Sequence, residues 1–381
     1  MSDILDMPDL PEIPDVEEVE DIKDSCNSAF TIGVIGVGQA GSRIAESFAK
    51  IGYARVIAIN TAAQDLVSID IPEENKMLLE GKTIRDAGAG KTPKIGKTAV
   101  LDNKDRIFDL ILDRFGKDVD LILICLGAGG GTGSGGGPEC IGIAKEYFET
   151  LRKDPRVGVL VSMPKTGEST VVNRNAFIAL EELTSRVESK QISPLILVDN
   201  AKIGKLFPKA SSASFWSIAN SMIVSLFHLF NDVASRQDGV VSWAFDRADL
   251  DTILKSGIIT FGATKIPKYE KATDVAQAVR DNLEKNVLVG DLDLTSATTA
   301  ACIFVGGKVL EKLPEENLEY GFEQVKRMLN PEGSVVHRGV YRVATSSLRV
   351  YTILGGLSKP DFRMKEIAKL GRVDDFYGDK E

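Results

Sequence analysis

The 381-residue sequence predicts an α/β protein: a parallel sheet, a long central helix and a smaller α/β segment after it. Three observations carry that prediction. From residue 30, β-branched or Leu-rich runs alternate with helical stretches, the pattern of strands buried on both faces. Residues 212–236 read as one long, apolar helix. After Gly257 shorter strand and helix runs resume.

Taken in order, the first elements are a strand at 30–35, a helix at 39–51 and a strand at 54–59. Further strands are expected at 121–126, 157–161 and 194–198, with helical segments between them. In the central helix, the apolar stretch 215–230 includes Ser217, Asn220, Ser221, Ser225 and His228. It is too short and too polar to cross a membrane, so it reads as a helix buried inside the protein. Beyond it come strands at 257–264, 300–306 and 347–355 and helices at 272–284 and 316–329. Met364, Ile367, Leu370 and Val373 stand among charges, the mark of a short amphipathic helix with a frayed end. The expected organisation is an acidic tail (1–28), a first domain (29–211), the central helix (212–236) and a loop with its following helix (237–256). A C-terminal α/β domain (257–360) and a tail (361–381) complete it.

The chain is 43% hydrophobic and 27% charged, ordinary for a soluble globular protein. Its net charge of −9 is unevenly spread. Residues 1–25 hold ten acidic residues against Lys23 alone, leaving 45 charges of each sign in the body. With Pro8, Pro11 and Pro14 interleaved, the tail is expected to be disordered. It lacks the basic start and apolar centre of a signal peptide. Solvating charge is its plain reading; docking to a partner protein, or an electrostatic brake on lateral association, is the sharper one. A neutral body behind an acidic tail argues against direct nucleic-acid binding. Cys26, Cys125, Cys140 and Cys302 are far apart with no CxxC pair, as expected of reduced structural thiols in the cytoplasm. His228 and His337 are the only histidines, which argues against a His-based metal site or triad.

The most informative motif is Gly127-Ala128-Gly129-Gly130-Gly131-Thr132-Gly133-Ser134-Gly135, between the strand at 121–126 and a helix expected near Pro138. Strand, glycine-rich turn and helix start form an anion cradle: glycines let backbone N–H groups turn inward, and the helix adds its positive dipole end. Six glycines are more than a tight turn needs. Gly36-Val37-Gly38-Gln39-Ala40-Gly41 fits the GxGxxG dinucleotide fingerprint. The second strand, however, ends at Ile59-Asn60-Thr61, with no ribose-binding acid before Asp65, so an NAD-dependent enzyme rests on that fingerprint alone. Gly88-Ala89-Gly90-Lys91-Thr92 looks like the end of a P-loop. The first glycine of that motif would fall on Arg85, and no convincing strand precedes it, so a P-loop is rejected.

Over residues 30–360 these loops together resemble the tubulin/FtsZ superfamily of GTPases, as a divergent FtsZ/CetZ-like member. The resemblance implies a Rossmann-like GTPase domain at 29–211 within the tubulin/FtsZ fold. Gly38, Gln39, Ala40 and Gly41 look like the first nucleotide loop, in a Gly-Gln-x-Gly form closer to tubulin than to bacterial FtsZ; Gln39 would lie near the phosphates and the metal. Asn60-Thr61-Ala62-Ala63-Gln64-Asp65-Leu66 is similar to the FtsZ segment Asn-Thr-Asp-Ala-Gln-x-Leu, with Ala62 in place of the Asp. Gly88-Ala89-Gly90 through Pro93-x-Ile95-Gly96 matches the loop that senses the γ-phosphate; Lys91 stands where FtsZ usually has a small residue, and would meet the phosphate directly. Gly129, Gly130, Gly131, Thr132, Gly133 and Ser134 would wrap the phosphates. Glu168 would contact the ribose. Asn200 and Asn220 would read guanine, whose edge suits an amide's adjacent donor and acceptor. For Asn220 the plain alternative is a hydrogen bond within the core.

Ala244-Phe245-Asp246-Arg247-Ala248-Asp249-Leu250 resembles the FtsZ loop Asn-x-Asp-x-Ala-Asp-Val, which in that family enters the nucleotide pocket of the next subunit. The implied role of Asp246 and Asp249 is to polarise the attacking water, while Mg²⁺ and backbone dipoles absorb phosphate charge. Ala244 replaces the leading Asn, which implies slowed hydrolysis. Met163-Pro164 through Glu168, and Asn173-Arg174-Asn175-Ala176, resemble the archaeal CetZ branch, and a long C-terminal linker with FtsZ's division-protein-binding peptide is missing. The resemblance thus implies a cytoplasmic protein that binds GTP/GDP and Mg²⁺ and polymerises with itself head to tail, in cell division or cell shape. Ala62 and Ala244 motivate a second expectation, a GTP-binding regulator that does not polymerise alone.

Overall fold

A computed structural model of the chain describes residues 24–374, except 83, 85–87, 210, 286–287, 291 and 330–332. Residues 1–23 of the acidic tail and residues 375–381 lie outside the described residues. The sheet opens with β1 (Ile32–Val37), α1 (Gly38–Ile51), β2 (Val56–Asn60), α2 (Ala63–Val67) and β3 (Lys76–Leu78). Then come α3 (Pro93–Asp102), α4 (Lys104–Phe115), β4 (Leu121–Gly127), α5 (Thr132–Thr150), β5 (Val157–Met163), α6 (Thr170–Glu188) and β6 (Leu195–Asp199). Helices α7 (Asn200–Leu206), α8 (Ser212–Val233) and α9 (Arg247–Leu254) follow. The last part is β7 (Ile258–Ile266), α10 (Ala272–Glu284), β8 (Thr299–Gly306), α11 (Glu315–Met328), β9 (Val335–Arg342), β10 (Leu348–Leu357) and α12 (Asp361–Gly371).

These strands form one sheet in the order β3-β2-β1-β4-β5-β6-β7-β10-β8-β9. From β3 to β7 every neighbour is parallel. Strand β10 runs antiparallel to both β7 and β8, and β9 lies parallel to β8 at the edge. The seam between β6 and β7 is narrow, with Leu195 opposite Ile258 and Ile196 opposite Ile259. Every residue of β1, β2 and β6 is buried, which explains why these runs are apolar throughout rather than alternating. The mixed α/β architecture is the one expected from the sequence.

Helix α8 runs through the interior, burying Phe215, Ala219, Ile223, Phe227 and Phe230. Two of its buried polar residues, Asn231 and His228, are answered locally. The Asn231 side chain accepts from Phe30 N at 2.8 Å and donates to Phe30 O at 3.0 Å and to the Tyr53 hydroxyl at 3.1 Å. That hydroxyl also lies 3.3 Å from His228 Nδ1. These bonds remove the penalty of burying polar groups in an apolar helix. Among the described residues no helix is long and apolar enough to cross a membrane. Cys125, Cys140 and Cys302 are buried free thiols, and burial pushes Cys140 up to about 12.

The structure departs from three expectations. Residues 24–28 are not part of a free tail: Asp24 accepts from Ala54 N at 2.9 Å beside Arg55, and Ser25 N donates to Gly52 O. Helix α5 begins at Thr132, six residues before Pro138, so the end of the glycine run is helical. Close packing is the reason: a Cβ on Gly135 would sit 1.9 Å from Pro93 O on α3. Strand β9 went unread because Val335-Val336-His337-Arg338-Gly339-Val340-Tyr341-Arg342 mixes charge and glycine into an edge position.

Candidate functional site

Strands β1, β2, β4 and β5 end on a common cleft of about 340 Å³. Its lining includes Gly38, Gln39, Ala40, Asn60, Ala89, Gly90, Lys91, Gly129, Gly130, Gly131, Thr132, Gly133, Glu168 and Asn200. The carboxyl ends of parallel strands are where an open α/β sheet offers a crevice. Of the other residues expected in a site, Gly41, Gly88 and Ser134 stand behind the cleft wall. Gly41 lies under β4, where a Cβ would be 2.0 Å from Cys125 O. Ser134 turns back onto Gly130 O. Asn220 is partly buried on α8 and is not among the lining residues; no side-chain hydrogen bond to it is found among the described residues.

Two helices start at this cleft without a capping side chain. Helices α1 and α5 both lack a side-chain N-cap, so the first-turn amides at 38–40 and 132–134 have no intrahelical acceptor. Gly38 makes the sharp entry to α1 with φ at +71°, a conformation other residues avoid. The opposite end of the cleft differs. There Ser169 caps α6 and Asp199 caps α7 through Ala201 N. One end is therefore built to receive negative charge and the other is already satisfied.

The loops are tied to one another by hydroxyls and amides. Thr61 Oγ1 lies 2.7 Å from Thr132 Oγ1 and accepts from Ala89 N at 2.9 Å, while Gly131 N donates to Gly90 O at 3.0 Å. Asn60 Nδ2 and Gln39 Nε2 each donate to Asp65, at 2.9 and 2.8 Å. Gln39 thus keeps its carbonyl oxygen for a ligand. Asn175 fastens Lys91 O and Gly129 O, and Lys91 Nζ stands 3.4 Å from Ser169 Oγ. At the capped end, Asn200 Nδ2 donates to Met163 O at 2.9 Å, leaving Oδ1 and one N–H. Trp216 also lines this end, although an aromatic in an apolar helix looks like core from sequence alone.

Asp246 and Asp249 lie elsewhere. Asp246 caps α9 and Asp249 completes a capping box with it. Arg247, between them, pairs with Asp120 at 2.8 Å and stacks 4.2 Å over Phe30, residues that precede β4 and β1. The aspartates therefore sit at the amino ends of the strands, and the cleft at the carboxyl ends. A six-residue strand such as β1 spans about 20 Å, so one chain cannot bring the two together.

Residues 31–208, which contain the whole cleft except Trp216, match the family described as Tubulin/FtsZ family, GTPase domain. Residues 31–208 are a Tubulin/FtsZ family GTPase domain. It is 26% identical over 310 residues to cell division protein FtsZ 1 of Pyrococcus furiosus, covering 80% of this chain and 74% of that protein. The fold of the GTPγS-form protofilament of Bacillus thuringiensis serovar israelensis TubZ superposes with a TM-score of 0.77 at 20% identity, over 93% of this chain and 95% of that one. The GTPγS-bound protofilament of CetZ2 from Haloferax volcanii gives 0.74 at 21% identity, over 92% and 100%. The cleft of this domain thus lies on the uncapped helix starts α1 and α5, with the aspartate loop at the far pole.

Proposed function

We propose that the protein is a GTP-hydrolysing filament protein whose subunits stack head to tail, each completing the active site of its neighbour. The observation that carries this reading is the polar separation of the cleft from Asp246 and Asp249. Stacking along the strand direction would bring the aspartates of one subunit to the cleft of the next. Such a contact is heterologous and does not close, as a filament requires.

In this reading the phosphates take the uncapped amides of α1 and α5, with Lys91 beside them. Glu168 holds the ribose, and Asn200 and Trp216 receive the guanine. Gly41, Gly88 and Ser134 shape the loops from behind, and Asn220 supports the same end of α8. Among the described residues no cluster of three His, Cys, Asp or Glu side chains forms a metal cage. Asp65 and the Gln39 carbonyl oxygen are the donors near the phosphate end, which fits Mg²⁺, an ion that leans on phosphates and keeps its waters. When bound it would neutralise charge developing on the phosphates. Asp246 and Asp249 would orient the water and accept its proton. A cytoplasmic role in cell division or cell shape follows from the same kinship. A GTP-binding regulator that does not polymerise alone is the second reading, motivated by Ala62 and Ala244.

Mixing two defective proteins tests the shared site. Gly130→Leu would fill the cleft, and a double Asp246→Ala, Asp249→Ala change would disable the loop. Each should be inactive alone. Together they should recover turnover, because an intact cleft then meets an intact loop. Mixtures as inactive as their components would sink the intersubunit mechanism.

A further inference from the structure

The catalytic loop is laid along β9, and the bonds run nearly its whole length. Arg342 N donates to Gly239 O at 2.7 Å, Val241 N to Val340 O at 2.9 Å and Val340 N to Trp243 O at 3.0 Å. The Tyr341 hydroxyl then brackets Phe245, accepting from its N at 2.8 Å and donating to its O at 3.0 Å. A Cβ on Gly339 would meet Ile303 Cδ1 and Tyr341 Cε2 at 2.7 Å and Phe245 Cβ at 3.3 Å, so the glycine lets the Tyr341 ring pack beside Phe245. Finally His337 Nδ1 lies 2.7 Å from Asp249 Oδ1. Residues 337, 339 and 341 share one face of the strand, and that whole face serves the loop.

We propose that His337 is a positioning residue for the intersubunit reaction, holding the Asp249 carboxylate in the orientation it presents to the neighbouring subunit. This rests on the reading of Asp249 given above. The capping box alone holds Asp249 weakly, because its Oδ2 accepts from Asp246 N at a long 3.2 Å. His337 supplies a shorter polar contact, with Nδ1 2.7 Å from Asp249 Oδ1. The imidazole Nε2 is buried without a partner, so the tautomer that suits the site carries its proton on Nδ1 and leaves Nε2 bare. Such a ring sets its polar Nδ1 edge against the carboxylate and leaves the negative charge of Asp249 in place for water. The other charge adjoining the pair is Asp246, whose Oδ1 accepts from Ala248 N and Asp249 N at 2.8 and 3.0 Å. The neighbouring guanidinium of Arg338 is directed to Glu319 on α11, away from the pair. Asp246 Oδ2 takes no hydrogen bond among the described residues, so the two aspartates divide the work. Asp246 offers a free oxygen, and Asp249 is oriented by the edge strand.

The experiment compares His337→Leu, His337→Asn and Asp249→Ala for turnover in the assembled state, GTP affinity of the monomer and thermal stability. His337→Leu should lower kcat on the order of tenfold to a hundredfold, as small misplacements of catalytic groups do, with monomer affinity unchanged. His337→Asn places an amide N–H near the former Nδ1–H and should restore most of that loss. Adding the cleft-filled Gly130→Leu protein to His337→Leu should also restore turnover, because its loop is intact; a folding defect would not be rescued so. If His337→Leu turns over like the parent while Asp249→Ala is inactive, the role of His337 is overturned and the intersubunit reading stands. If the Asn and Leu variants are equally impaired and no mixture recovers, His337 is structural only and the proposal fails. If Asp249→Ala itself turns over normally, it is the underlying reading that has failed.

Discussion

Arg363 on α12 and Asp199 at the start of α7 form a buried charge pair, with Nε 3.1 Å from Oδ2 and each side chain only 7% exposed. The Nε–H is not aimed at the carboxylate, so the contact is coulombic rather than a linear hydrogen bond. Nη2 of the same arginine donates to Pro164 O at 2.9 Å. Pro164 and Asn200 both line the cleft, so the last described helix of the chain helps hold the cleft wall. Burial pushes the Asp199 carboxyl above its ordinary 3.8, and Arg363 works against that shift.

Arg363→Met should therefore cost on the order of 3 kcal/mol, because it strands a buried carboxylate rather than merely removing an attraction. Nucleotide affinity should fall as well, since Asp199 also caps the helix that presents Asn200. Adding Asp199→Asn to Arg363→Met should recover part of the stability, a coupling that denaturant melts of the single and double variants would measure. A single variant as stable as the parent would show that α12 is held by something else.

Two glycine positions separate binding from folding. Around Gly130 there is open space, whereas a Cβ on Gly135 would meet Pro93 O at 1.9 Å. Gly130→Ala should leave the melting temperature within about a degree or two, because nothing is displaced. It should still weaken nucleotide binding, because the methyl enters the phosphate end of the cleft. Gly135→Ala should cost roughly 3 kcal/mol or more by forcing α3 away from α5. Paired calorimetry and fluorescent-nucleotide titration would check both, and equal losses in stability would refute the contrast.

The cleft was legible because its parts are local: glycine runs, strand ends and helix starts lie within a few residues of each other. Resemblance to a known family then joined the loops into one site. What was not legible depends on distant chain meeting in space. His337 is 88 residues from Asp249 and lies on a strand whose charges hid it, so a histidine without local partners in the sequence meets the loop that carries Asp246 and Asp249. Trp216 looked like core for the same reason that Phe215 is core, and only the path of α8 past the cleft distinguishes them. The start of α5 was misplaced because glycine normally argues against a helix. Here its lack of a side chain is what lets α3 approach.

His228 makes a pH prediction. Burial lowers its pKa below the ordinary 6.5, with Arg236 adding to that and Asp232 opposing it. The native state then binds a proton less readily than the unfolded chain, so stability is full above pH 6.5 and is lost as pH falls through it. Asp24 and Asp199 are shifted the other way, above 3.8, so they favour the native state only as pH drops into the carboxylate range. The window just below pH 6.5 thus belongs to the histidine. Melting temperatures of the parent should fall across that window, and those of His228→Phe should fall less. Parallel curves would place the acid sensitivity elsewhere.

Trp216 gives a direct optical test of which end of the cleft takes the base. The chain has two tryptophans, and they occupy different sites. Trp216 lines the capped end of the cleft, while Trp243 lies beside Phe322, with ring centroids 5.3 Å apart, next to the loop that carries Asp246 and Asp249. A guanine seated near Asn200 would reach the indole of Trp216, and stacking of a base on an aromatic ring contributes about 1–3 kcal/mol. Trp216→Ala should then weaken GTP binding on the order of tenfold. In the Trp216→Phe variant affinity should largely persist, but the fluorescence change on adding GDP to the monomer should vanish, because Trp243 is remote from the cleft. Assembly should still perturb Trp243, since the loop it flanks would enter the neighbouring subunit. If Trp216→Phe keeps the full nucleotide-dependent signal, the base does not sit at that end, and the assignments of Glu168 and Asn200 fall with it.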